Sequence, residues 1–131
     1  MNYKKWVVAT VIKVSEIFSL DDWRIAVSFV PGQPDGNADT VCSVVTDSDY
    51  FKAIIYVYPY AEEIWDEGQL YILAECIVHE LVHVVCDPVF KFALDAASKN
   101  TLPFLTTKNE QMTQKLTRIV MGLLPKKTFL P

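Results

Sequence analysis

The chain has no surplus of positive charge. Twelve Lys and Arg stand against sixteen Asp and Glu, giving a formal net charge of −4 and a pI near 5.1. That balance excludes the electrostatic footprint of a nucleic-acid binder. The basic residues are scattered apart from Lys4-Lys5 and Lys126-Lys127, so no membrane partner is expected. No apolar run is long enough to span a bilayer. Cysteine is scarce as well: Cys42, Cys76 and Cys86 follow no finger or oxidoreductase spacing. Cys76 and Cys86 fall within one predicted helix, about 15 Å apart along its axis, too far to bridge. Free thiols in a reducing cytosol follow from this, and the expected location is cytoplasmic.

What is present describes a globular chain. Hydrophobic residues make up 51% and charged residues 21% of 131, enough for one domain with its own core over residues 1–131. The start, Met1-Asn2-Tyr3-Lys4-Lys5 before an apolar run, faintly imitates a signal peptide. Lys13 ends that run with no small-x-small cleavage site after it, so a surface-docked helix is the better reading.

Residues 4–18 place Val7, Val8, Val11, Ile12, Val14, Ile17 and Phe18 at helical spacing. From Trp23 the period becomes two, with Trp23, Ile25, Val27 and Phe29 on one face of a strand. Pro31 to Thr40 is a loop by turn chemistry. Val41–Thr46 and Phe51–Tyr58 then read as a hairpin, giving a small three-stranded sheet, at least partly antiparallel. A helical pattern runs from about Ala61 or Asp66 to about Val85. Asp87-Pro88 should end it and cap a short helix over Val89–Ser98. Leu102–Thr106 reads as a connector. The last helix is expected from about Thr107 to Leu124, with Met112, Leu116, Ile119, Val120 and Leu123 on its apolar face. Residues 125–131 form a short tail, expected to fray, with occupation of the cleft as the alternative. The fold class is α+β, in one domain with no internal repeat.

Chemistry concentrates at His79-Glu80-Leu81-Val82-His83. On a helix, positions i and i+4 lie one turn apart and about 40° apart, so both imidazoles reach one metal. Glu80, about 100° from His79, sits at the margin of that face and can take a proton from a water on the metal. The chain has only two histidines. Shuffling its composition yields this arrangement roughly once in a thousand sequences. The opposite side of the helix is apolar, carrying Leu70, Ala74, Ile77, Leu81, Val84 and Val85. The bland alternative is a helix with two unremarkable surface histidines.

Two histidines need a third protein ligand. Asp87, four residues after His83, would stretch the set over about 12 Å if the helix continued, and an N-cap role accounts for it. Glu110, on a separate helix, can deliver its carboxylate from outside. Its competing role is a capping box, Thr107-Lys108-Asn109-Glu110. It points about 140° from the apolar centre of its helix, which suits either a surface residue or a ligand. Cys86 lies about 10 Å along the axis from His79, too far to share its ion.

These residues resemble the gluzincin metallopeptidases. The first motif of that family, His-Glu-x-x-His, is complete at 79–83. The second, Asn-Glu-x-x-Ser-Asp, is similar to Asn109-Glu110-Gln111-Met112-Thr113-Gln114. The resemblance implies a zincin-like fold with an N-terminal helix, small sheet, active-site helix and glutamate helix. It implies Zn²⁺ held by His79, His83 and Glu110, Glu80 as general base, and Gln114 where the family has an aspartate orienting a ligand histidine. It implies a peptide or protein substrate extended along an edge strand. The family commonly uses a downstream Tyr or His as oxyanion donor, and neither type follows His83 here. Arg118, or upstream Tyr56 or Tyr58, could substitute; loss of one such donor costs about 3 kcal/mol. The expected activity is zinc-dependent peptide hydrolysis, against two alternatives: a non-catalytic metal-binding or interaction domain, and a site built on Asp87. Size, with no secretion signal or accessory domain, points to a prokaryotic or phage-encoded protein.

Overall fold

The computed structural model describes all residues, Met1–Pro131. Asn2 opens the first helix, α1 (Tyr3–Ile17), by accepting the Lys5 N–H with its side chain at 2.9 Å. Tyr3, Trp6, Val7, Thr10, Val11 and Val14 recur at helical spacing and are buried, while Val8 and Ile12 face out. Three strands follow: β1 (Arg24–Phe29), β2 (Cys42–Asp47) and β3 (Lys52–Val57). Their order in the sheet is β1-β3-β2, with β1 parallel and β2 antiparallel to β3. The central β3 alternates cleanly, burying Ala53, Ile55 and Val57. The sheet is therefore mixed, and β2 is left as an edge strand.

Pro59 starts a helix instead of only closing the sheet: α2 spans Pro59–Asp66 with proline in its first turn. Gly68, at φ +74°, ends it in the left-handed region that glycine tolerates best. The single helix expected over 61–85 is thus two.

The next helix, α3 (Leu70–Ala96), runs 27 residues straight through Pro88. The expected break at Asp87-Pro88 does not occur, and Asp87 caps nothing. An interior proline costs about 3 kcal/mol locally. Tertiary anchors on both sides of it outweigh that cost. Thr46 of β2 donates to Asp87 Oδ1 at 2.7 Å, Lys91 reaches Asp49 at 2.8 Å, and α4 packs along the other flank.

That last helix, α4, spans Leu102–Leu123, so the residues expected as a connector are its first turn. Thr107 and Glu110 then lie inside the helix and form no capping box. The Thr107 hydroxyl instead donates back to the Pro103 carbonyl. The apolar face is also corrected: α4 buries Thr113, Thr117 and Met121 against α3, while of the expected face only Val120 packs on the core and Met112, Leu116, Ile119 and Leu123 are exposed. Threonines are short enough for close approach, and the Thr117 hydroxyl satisfies itself on the Thr113 carbonyl at 2.7 Å.

The tail neither frays nor enters the cleft. A short 3₁₀ turn, Lys126–Phe129, buries Phe129, whose carbonyl accepts the Trp6 indole N–H at 2.9 Å. One core of 20 buried residues joins α1, the sheet, α2, α3, α4 and this turn. α3 is its axis, and Val85, expected on its core side, is exposed. No helix is long and apolar enough to cross a membrane.

Candidate metal centre

Burial of Leu73, Ala74, Ile77, Val78, Leu81, Val82 and Val84 fixes the rotation of α3 and turns His79 and His83 toward α4. Burial of Thr113 and Thr117 fixes α4 in turn, and presents Glu110 to both imidazoles. His83 Nε2 lies 3.0 Å from Glu110 Oε1, and His79 Nε2 lies 3.5 Å from Glu110 Oε2. The imidazoles stand edge to face, 4.8 Å between centroids. One donor atom from each of the three residues lies within 4.8 Å of the other two.

The far side of each ring decides what the near side offers. Gln114 donates its amide Nε2 to Glu75 at 3.3 Å, which leaves Gln114 Oε1 facing His79 Nδ1 at 3.0 Å. That oxygen only accepts, so Nδ1 of a neutral His79 carries the hydrogen and Nε2 keeps its lone pair. Thr113 Oγ1 stands 3.4 Å from His83 Nδ1, and its hydroxyl serves either tautomer. Burial pushes the His83 pKa below its ordinary value, with the Glu110 charge opposing and His79 adding to the effect. Two imidazole Nε2 atoms and a carboxylate therefore converge on one point. Two imidazoles with one carboxylate suit a divalent transition metal.

Glu80 stands beside this group without joining it. Burial, then the Glu110 charge, push its carboxyl up to about 8, while a hydrogen bond from the Val44 backbone of β2 opposes them. A cleft of about 450 Å³ opens in front, lined by Thr40, Val41, Cys42, Glu75, His79 and Glu80 among others. One wall is the segment Asp39–Cys42, which leads into the edge strand β2 packed alongside α3. Burial, then Glu80, push the Cys42 thiol up; burial, then Glu75, push Cys76 to about 11. All three cysteines are unpaired, and neither cleft thiol is a ready thiolate.

Of the residues singled out in sequence, His79, Glu80, His83, Glu110 and Gln114 come together. Asp87 does not: its carboxylate is engaged by Thr46 on β2 and is outside the converging set. Arg118 is exposed, and neither it nor Tyr56 or Tyr58 lines the cleft; Tyr58 spends its hydroxyl on Ser43 at 2.9 Å. Thr113 and Glu75 had no assigned role in sequence. Their spacing was the available signal: Glu75 is one turn before His79, and Thr113 follows Glu110 by three. Comparisons with protein-family models, with curated proteins and with solved structures find no match.

Proposed function

We propose that this chain is a small zinc-dependent metallopeptidase of gluzincin-like, zincin type. The convergence of His79, His83 and Glu110 from two helices carries this reading, with Glu80 half-buried beside them at the edge of a cleft. The three side chains would hold the ion through both Nε2 atoms and the carboxylate. Zinc bound there would supply Lewis-acid polarisation of a scissile carbonyl and a lowered pKa for water. Glu80 would take the proton of the attacking water and return it to the leaving amine, as a general base needs a pKa near working pH. Gln114 would hold His79 in the ligating tautomer, Thr113 would orient His83, and β2 offers an extended peptide its unpaired edge. The donor set also suits other divalent metals, so elemental analysis of the purified protein names the ion.

Glu80→Gln tests the mechanism. The variant is expected to keep its metal, by elemental analysis, and to lose peptide hydrolysis by about 100-fold or more. Retained hydrolysis would remove Glu80 from the chemistry. One observation favours a second reading, a metal-binding or protein-interaction domain without catalysis: no Tyr or Arg lines the cleft to receive an oxyanion. A peptide library left uncut by metal-loaded protein would select it.

A further inference from the structure

The two sides of the cleft are held in different ways. One side is α3, whose Glu75, His79 and Glu80 sit on a helix anchored through the core. The other is Asp39–Cys42, and the sheet secures only its far end. There the Tyr58 N–H meets the Val41 carbonyl at 3.0 Å, the last rung between β2 and β3. Asp39 and Thr40 lie beyond that rung, in a loop that no strand reaches. Such a wall keeps its place only if something other than a ladder binds its backbone groups.

One side chain does this. The Gln33 amide Nε2 donates to the carbonyls of Thr40 at 3.0 Å, Ala38 at 3.2 Å and, more weakly, Asn37 at 3.4 Å. Its Oε1 accepts the Tyr60 N–H at 2.8 Å. Acceptors on one side and a donor on the other fix the amide orientation, because a flipped amide would set donor against donor. The Tyr60 N–H is one of the free donors that open α2, where Tyr58 gives no side-chain cap. Gln33 thus caps α2 from a distance. It uses that helix, which buries Ala61 and Ile64 in the core, as the fixed point for the loop. The other hydrogen bonds of residues 34–40 stay within that stretch: Asn37 N–H to the Pro34 carbonyl at 3.1 Å, and Asp39 N–H to Asn37 Oδ1 at 3.3 Å.

We propose that Gln33 is a positioning residue for the candidate site: through the Thr40 and Ala38 carbonyls it holds the Asp39–Cys42 wall at the distance from α3 that an extended peptide needs. This role rests on the peptidase reading and adds to it a residue outside the cleft that sets substrate affinity. Gln33 neither lines the cleft nor belongs to the metal-binding group, so its loss acts on substrate binding and leaves metal and chemistry in place.

Two variants separate this role from helix capping alone. Gln33→Ala removes both halves of the amide. Gln33→Glu keeps an acceptor for the Tyr60 N–H, at a helix start that favours a carboxylate, but turns oxygen toward the loop carbonyls. Zinc-loaded wild type and both variants are assayed on the peptide that wild type cuts fastest in a quenched-fluorescence library. KM should rise about fivefold or more in both variants with kcat within about twofold, and elemental analysis should find equal zinc in all three proteins. An added Asp-directed protease should cut at Asp35 and Asp39 about fivefold faster or more in both variants, with or without metal. If capping is the whole role, Gln33→Glu keeps the wild-type KM and cutting rate, and the proposal falls. An unchanged KM in both variants overturns it as well. A wild type that cuts no peptide defeats the peptidase reading instead, and faster cutting of the loop in both variants would still establish Gln33 as the holder of the wall.

Discussion

Glu80 and Glu110 are two carboxylates of one small site, and burial separates their behaviour. Glu110 is 58% exposed, whereas Glu80 is half-buried and its carboxyl is pushed from 4.5 up to about 8, mainly by desolvation. In metal-free protein this makes stability depend on pH with a definite sign. Between about 4.5 and 8 the folded chain holds a proton on Glu80 that the unfolded chain has released. The contribution of this group is fully present below 4.5 and is lost as pH rises through about 8. Glu80→Gln cannot ionise, so in chelator its melting temperature should exceed wild type at pH 8 and converge with it near pH 4. The difference is of the order of a few kcal/mol, because the group is mostly desolvated. A wild type more stable at pH 8 would mean that Glu80 is ionised in the fold. A second expectation separates neighbours of the site by role. Gln114→Ala removes the acceptor that fixes His79 and should weaken metal affinity about 10–100-fold. Asp87→Ala removes the Thr46 hydrogen bond and a charge that acts on His83 from a distance, but no ligand, and should change affinity far less; metal titration of both variants checks the pair. At this scale the sequence is most readable where spacing alone sets geometry, as in His79 and His83. It is least readable where a partner is remote, since nothing near Asp87 announces Thr46.

Helix limits depend on forces the local sequence does not contain. Asp87-Pro88 has every local mark of a helix boundary, yet α3 continues, because Thr46, Asp49 and α4 hold the segment on both sides. The cost of the proline is still present, which predicts that Pro88→Ala stabilises the protein by about 1–3 kcal/mol. Denaturant unfolding measures it. A loss of stability would mean that the exposed ring itself packs productively, and that α3 was shaped around it. The α4 boundary departs from its local marks for the complementary reason. Thr107-Lys-Asn-Glu110 matches a capping box in letters, but Pro103 already starts the helix one turn earlier. The strands, by contrast, were plain from alternation, and only their pairing was hidden: the parallel β1–β3 contact depends on how α1 and α3 cover the sheet.

At the scale of the whole molecule, the candidate site joins two helices that the core positions separately. α3 contributes His79 and His83 from the axis of the core. α4 contributes Glu110 from the outer layer, held by threonines and by Met121. The donors and the need for a second helix are legible in sequence, whereas the face by which α4 packs is not, because its most hydrophobic face points outward. An ion bridging the two helices binds the folded chain and not the unfolded one, so it must stabilise by RT ln(1 + [L]/Kd), about 2.7 kcal/mol at one hundred times Kd. For a domain of this length that corresponds to a rise of about 10 °C in Tm. Zinc at such excess over chelator-treated protein should produce this rise in wild type. Glu110→Ala should lose most of it, because two imidazoles on one helix bridge nothing, and His83→Ala should lose it as well. An Asp87→Ala variant with the full rise would exclude the alternative ligand. A full rise in Glu110→Ala would instead place the third donor elsewhere and leave the α3–α4 junction without a metal to brace it.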